Sequence, residues 1–240
     1  MSTGSTPTGT RTEEEAALWV RGMFGRVASR YDLLNHLLSA NIDRYWRART
    51  VRRVSAILQR SDAVCLDLCC GTGDLMIALR RNAAARVLGS DFCHPMLLAA
   101  RGKTPAAEIF ESDALRLPLP DGSLDLITVA FGFRNLANYR RGIEEMRRVL
   151  RPGGAAAVLE FSQPRSRALA AAYNFYSRRV LPAVGGLISG SRDAYTYLPE
   201  SVRKFPGPDE LALQMRDSGF RDVRHELMTG GIVALHVATK

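Results

Sequence analysis

The chain has no apolar run near the roughly 18 residues that a membrane-spanning helix needs. Its best stretch, 180–188, is interrupted by Pro182, Gly185 and Gly186. Cysteine is scarce. Cys65, Cys69, Cys70 and Cys93 form no Cys-x-x-Cys pair and have no histidine downstream at finger spacing, which argues against a zinc site and for small buried thiols in a reducing compartment. No apolar signal segment opens the sequence: 1–12 is rich in Ser, Thr and Gly and reads as a flexible terminus. A cytoplasmic protein, soluble or surface-bound, is expected. Lysine is nearly missing, three residues against thirty arginines, which reflects composition bias and not chemistry. What remains is 240 residues, 46% hydrophobic and 24% charged, enough for one substantial globular domain and unlike a disordered tail or a disulfide miniprotein.

The formal charge of +9 is unevenly placed: residues 1–60 carry +5, 61–160 carry none, 161–204 carry +5 and 205–240 carry −1. Two basic flanks around a neutral middle suit a nucleic acid, an anionic membrane face or an acidic substrate, or else form a solvated face with no partner.

Thr12 and Glu15 make a capping-box pattern, and 13–60 reads as helical throughout, with Leu33/Leu34 and Leu37/Leu38 at helical spacing. From Ala63 the register changes. Short apolar strands at 64–68, 86–91, 107–111, 124–129 and 155–161 alternate with helices at 74–81, after Pro95, and at 139–150. The last of these stops at Arg151-Pro152-Gly153-Gly154. That alternation means a mostly parallel, doubly wound α/β sheet over 61–240, on which the helices of 13–60 pack. The stretch 163–204 breaks the rhythm. It is basic and aromatic, with Tyr173, Phe175, Tyr176, Tyr195 and Tyr197, and reads as a helical insertion over the active-site edge. A helix near 208–218 and strands near 220–227 and 232–238 resume the pattern.

In such sheets ligands bind beyond the carboxyl ends of the strands. The first strand-to-helix turn runs from Asp67 to Asp74, where Gly71 and Gly73 let backbone approach a ligand. A dinucleotide fingerprint wants a third glycine where Met76 stands. Asp67 and Asp74 would repel a pyrophosphate, yet they suit a cation. S-adenosylmethionine, with a sulfonium, an ammonium and no phosphate, fits. Asp91 ends the second strand, where an acid accepts ribose hydroxyls. Asp113 with Ala114 follows the third strand, placed for the adenine amino group. The bland alternative is that these acids serve only as helix caps. After the fourth strand, Ala130-Phe131-Gly132-Phe133-Arg134-Asn135 replaces the Asn/Asp-Pro-Pro-aromatic clamp of base methylation, so a nucleic-acid methyltransferase is not the first choice, and no nucleic-acid partner is expected.

At these residues the chain resembles the ubiquinone/menaquinone biosynthesis C-methyltransferase family. The likeness runs from about Met23 onward, through MFGRVASRYDLLN, LDLCCGTGD, FGFRNL, RVLRPGG, LEFSQP, YTYLPESVRKFP and TGGIVALH. The glycine loop and RVLRPGG occur in many methyltransferases; FGFRN, YLPESVRKFP and TGGIVALH are far more specific. The resemblance implies a Rossmann-like class I S-adenosylmethionine-dependent methyltransferase that methylates a polyprenylated quinol at carbon. It implies cofactor positions at Thr72, Asp91, Asp113 and Ala114. The CCGTG loop and Ala130 lean toward the menaquinone branch, demethylmenaquinol to menaquinol, over the ubiquinone branch. A polyprenylated substrate further implies an anionic membrane surface as partner, met at the inner face of the cell membrane. Oligomeric state is left open.

Methyl transfer to ring carbon needs an electron-rich ring, which a quinol supplies and a quinone does not. Arg134 either holds the aryloxide oxygen while Asn135 orients the ring, or it merely caps the strand or pairs with an acid. No residue stands out as proton acceptor among His36, His94, His225 and His236. Phe24 and Tyr31 either close over the cofactor or belong to the core.

Overall fold

The computed structural model describes residues 4–176, 179 and 192–240; within these, the side chains of Leu34, Leu37, Leu38 and 192–196 lie outside the description. One seven-stranded sheet organises the chain. β1 (Val64–Leu68), β2 (Arg86–Asp91), β3 (Glu108–Glu111), β4 (Leu124–Ala130) and β5 (Leu150–Phe161) are parallel, and β6 (Arg221–Met228) and β7 (Val233–Thr239) complete it. The order is β3-β2-β1-β4-β5-β7-β6, with β7 antiparallel to both its neighbours. Central strands covered on both faces read as near-continuous apolar runs, and Leu66, Leu126, Ile127 and Leu159 are fully buried. One core joins Leu66, Ile127 and Val129 to Phe133, Tyr139, Ile143 and Met146; the other joins Cys65 and Leu126 to Trp46, Leu58, Met76 and Leu79. Cys65, Cys70 and Cys93 are buried, Cys69 is half-buried, and all four are free.

The described helices are α1 (Glu13–Val27), α2 (Tyr31–Leu38), α3 (Ile42–Arg53), α4 (Ser55–Leu58), α5 (Asp74–Arg80), α6 (His94–Lys103), α7 (Tyr139–Val149), α8 (Arg167–Phe175), α9 (Arg192–Lys204) and α10 (Pro208–Asp217). Pro95 stands in the first turn of α6, as expected. The helical stretch 13–60 is not continuous. Ala40 and Asn41 adopt left-handed φ of 49° and 61°, which no α-helix accommodates, so α2 and α3 part there. Of the apolar pairs expected in it, Leu33 is exposed, and the other three side chains lie outside the description. The capping box is displaced by one residue: Thr12 Oγ1 accepts from Glu15 N at 3.1 Å, while Glu15 Oε2 accepts from Arg11 N. β5 begins at Leu150, not Ala155, because Leu150 pairs with Leu124 across a register shift.

Within the N-terminal stretch expected to be flexible, 1–12, residues 5–10 make specific contacts, and 1–3 lie outside the description. Ser5 N donates to Leu136 O at 2.7 Å, Ser5 Oγ and Tyr197 Oη lie 2.7 Å apart, and Ser5 and Pro7 are buried. In the insertion, α8 and α9 are present, Phe175 is exposed, and Trp19 of α1 packs against Tyr197 at 5.1 Å between ring centroids. Residues 177–178 and 180–191, with their share of the basic charge, and the Tyr195 side chain lie outside the description.

Candidate active site

From β1 the chain adds β2 and β3 on one side and β4 and β5 on the other, so the carboxyl ends of β1 and β4 flank the crevice where such sheets take ligands. A cavity of about 1180 Å³ opens there, larger than a single drug-sized ligand needs. Asp67, Gly71, Thr72, Asp91, Asp113, Ala114, Arg134 and Asn135 all line it. Gly73 does not. Its φ of 87° makes the turn, and a Cβ there would stand 3.0 Å from Met76 Cε, so it shapes the loop from behind.

Asp91 braces two loops. Its Oδ2 accepts from Gly71 N at 2.8 Å and its Oδ1 from Cys93 N at 2.9 Å. Burial nevertheless lifts its pKa to about 6. Asp67 accepts from Thr128 Oγ1 at 2.7 Å, is 1% exposed, and is raised by burial to about 7. A carboxyl so poised gains from a cation placed beside it. Asp113 Oδ1 accepts from Leu115 N at 2.8 Å, so one oxygen caps the turn and the residue stays exposed at the cavity wall.

Thr72 Oγ1 donates to Asp32 of α2, and Lys103 joins Asp32 (2.5 Å) to Asp74 (2.7 Å). Arg47 of α3 pairs with Asp43 and lies 3.5 Å from Asp74. Hydrogen bonds from Ser39 and Arg47 hold Asp43 below the usual carboxylate range in spite of its burial. His36, Asp43 and Asp74 stand close enough to share a cation, but Arg47 and Lys103 already face those carboxylates. The network fastens α2 and α3 to the glycine loop, and Phe24 and Tyr31 line the cavity behind it. Asp74 is therefore matched by side chains of the chain itself.

Part of the cavity wall is aromatic. Phe131 and Phe161 lie 4.7 Å apart between centroids, with Trp46 at 5.9 and 6.3 Å from them. Trp46 Nε1 donates to Thr229 Oγ1 at 2.8 Å. Phe131 holds φ of 59°, a strained conformation that tends to persist at functional sites. Tyr173 and Tyr197 of the insertion also line the cavity.

Arg134 is 5% exposed and takes the paired arrangement. Its Nη1 donates to Glu160 Oε1 at 2.9 Å and to Phe131 O, and Glu160 Oε2 accepts from Arg134 N at 3.1 Å. Burial disfavours the guanidinium, yet the Glu160 charge outweighs it and holds the pKa above the ordinary arginine value. Arg134 Nε is buried with no partner among the described residues. The pair is neutral overall, so Arg134 offers directed donors and not a free positive charge. Asn135 Oδ1 accepts from Tyr197 Oη at 3.1 Å. No histidine lines the cavity among the described residues. His36, His94 and His225 face carboxylates, and His236 Nε2 lies 2.9 Å from Pro208 O.

Trp46, Glu160, Phe161 and Asp32 carry no role in the sequence reading. Glu160-Phe161 stands inside LEFSQP, at a strand end beside the cavity, and that position was the available signal.

The family model described as the ubiE/COQ5 methyltransferase family matches residues 10–240. A protein of Thermus thermophilus named demethylmenaquinone methyltransferase is 48% identical over 223 residues, covering 91% of this chain and 100% of its own length. A protein of Geobacter sulfurreducens named ubiquinone/menaquinone biosynthesis C-methyltransferase UbiE is 40% identical, covering 92% and 88%. Among solved structures, a SAM-dependent methyltransferase of Archaeoglobus fulgidus superposes with a TM-score of 0.64 at 17% identity, covering 88% and 99%, which shows the shared fold.

Proposed function

The chain belongs to the ubiE/COQ5 methyltransferase family, and from that premise we propose that it transfers a methyl group from S-adenosylmethionine to a ring carbon of a polyprenylated quinol, demethylmenaquinol to menaquinol in menaquinone biosynthesis. The name of the Thermus relative supports this branch; methylation of 2-methoxy-6-polyprenyl-1,4-benzoquinol is the second reading, supported by the name of the Geobacter relative. The observation that carries the proposal is one cavity with two chemistries. Acids and a glycine loop form part of its lining, and aromatic rings with Arg134 and Asn135 form another part.

The residues present fit the cofactor. Asp67, raised by burial to about 7, is a buried carboxyl that a cationic ligand would stabilise in its charged form. Asp91 would hold the ribose, Asp113 and Ala114 the adenine, and Gly71 and Thr72 the near side of the loop. When bound, S-adenosylmethionine supplies an electrophilic methyl on a sulfonium. The chain prepares the acceptor. Arg134 Nε, a buried donor without a partner among the described residues, is stabilised by an oxygen placed against it, and a quinol oxygen supplies one. Loss of that hydroxyl proton to water in the cavity pushes electron density to the ortho carbon. The ring proton is displaced by the methyl and returns the oxygen to its neutral form or leaves to water. Donors already fixed by Glu160 and Tyr197 need no reorganisation. Arg134 accepts no proton at neutral pH.

None of the described helices is long and apolar enough to cross a membrane. Leu18 and Ile42 line the cavity and are 61% and 39% exposed, an apolar lip where a prenyl tail leaves. Together with the two basic flanks this suits a protein that meets its substrate at an anionic membrane surface on the cytoplasmic side.

The test is turnover with labelled S-adenosylmethionine on dithionite-reduced against oxidised demethylmenaquinone. Only the reduced ring should be methylated, and Arg134→Ala should lose about 100-fold in turnover with cofactor affinity unchanged. Equal methylation of the oxidised ring overturns the proposal.

A further inference from the structure

We propose that Ser5 is a positioning residue, holding Tyr197 and through it the Asn135 amide in the orientation that leaves the amide NH2 free to donate to the substrate. The inference rests on the role given above to Asn135.

Tyr197 Oη has one proton, and it is directed to Asn135 Oδ1 at 3.1 Å. The 2.7 Å contact between Ser5 Oγ and Tyr197 Oη must then have Ser5 as donor. The three groups make a chain of one polarity, Ser5 to Tyr197 to Asn135, and all three residues are buried at 6%, 4% and 8% exposure. With Oδ1 committed to Tyr197, the amide cannot turn an acceptor toward the substrate. Its Nδ2 has only a 3.5 Å contact, to Phe131 O, and remains the donor on offer. An amide with no such constraint flips between two nearly isosteric states.

The segment that carries Ser5 is built to stay. A Cβ on Gly4 would stand 1.8 Å from Ala137 O, so only glycine allows this close approach. Ser5 N donates to Leu136 O at 2.7 Å, Lys204 Nζ donates to Thr6 O at 2.9 Å, and Thr10 Oγ1 donates to Pro7 O at 2.7 Å. This strap thus ties the turn after β4 to α9, the two elements that supply Asn135 and Tyr197.

The experiment is steady-state turnover of reduced demethylmenaquinone by the full chain and its Ser5→Ala, Ser5→Thr, Tyr197→Phe, Asn135→Ala and Ser5→Ala/Tyr197→Phe variants, with S-adenosylmethionine affinity and melting temperature measured in parallel. One neutral hydrogen bond predicts that Ser5→Ala lowers kcat about 5-fold, leaves cofactor affinity unchanged, and is rescued by Ser5→Thr. In the Tyr197→Phe background Ser5→Ala should lower kcat no further, because the chain of bonds is already cut. An unchanged kcat in Ser5→Ala, or an equal loss in both backgrounds, overturns the inference. If Asn135→Ala is inactive while Ser5→Ala is normal, the strap alone is refuted; if Asn135→Ala turns over normally, the role of Asn135 falls and the strap with it.

Discussion

Replacing Glu160 by leucine separates what Arg134 does for the fold from what it does for the substrate. Both partners are buried, at 5% and 1% exposure, and Glu160 also accepts from the backbone N–H of Arg134 and of Phe161. Glu160→Leu leaves a guanidinium buried without its counter-ion, and removing one partner of such a pair costs about 3–5 kcal/mol. For a chain of this size each kcal/mol moves the midpoint by about 2–4 °C, so melting should fall by about 6–20 °C. Adding Arg134→Met removes the stranded charge. A buried ion pair replaced by apolar side chains is often neutral in stability, but the amides of Arg134 and Phe161 stay without their acceptor, so the double variant should regain part of the lost melting temperature and none of the turnover. Differential scanning calorimetry and a labelled-methyl assay on the same samples read both quantities. A Glu160→Leu variant melting within about 2 °C of the parent would refute the energetic argument. A double variant with normal turnover would refute the role of Arg134 in the reaction.

Three further outcomes are expected. Asp91→Ala should weaken S-adenosylmethionine binding about 10- to 100-fold, the loss of one or two charge-assisted hydrogen bonds; calorimetry showing parental affinity refutes it. Asp67, raised by burial to about 7, binds its proton more tightly folded than unfolded, so its contribution to the ligand-free protein is present at low pH and lost as pH rises through about 7. His236, pushed down to about 4 by burial, opposes this below about pH 6.5, so the clean window is about pH 6.5–8. There stability should fall by about 1 kcal/mol, and Asp67→Asn should flatten the curve; the same slope in Asp67→Asn refutes the assignment. Sedimentation with anionic vesicles should decline with salt, since exposed charges are screened over about 8 Å at physiological ionic strength; equal partitioning onto neutral vesicles at low salt refutes the electrostatic docking.

The strands and the glycine loop were legible because their signals are local. Val64–Leu68 is a short apolar run that ends where two glycines allow the chain to turn, and Asp91 closes the next strand. The aromatic lining was not legible in the same way. Arg134 meets Glu160 across 26 residues and Trp46 meets Thr229 across 183, and no periodicity encodes either pairing. Burial hid the rest: the alternatives of a free or paired Arg134 differ only in whether an acid from the neighbouring strand turns toward it. The N-terminal stretch has the composition of a loose tail, and the contacts of residues 5–8 are to partners far along the chain, Leu136, Tyr197, Glu200 and Lys204.

The position of β7 between β5 and β6 has a consequence for the ribosome. β6 is translated first, yet no strand then exists for it to pair with, because its place in the sheet is reached only through β7. While it waits, β5 presents an open row of amides and carbonyls along its outer side, the kind of edge that recruits strands from other chains. That side of β5 stays unpaired from the completion of β5 at Phe161 until β7 begins at Val233, so closing the sheet waits for the last strand of the chain.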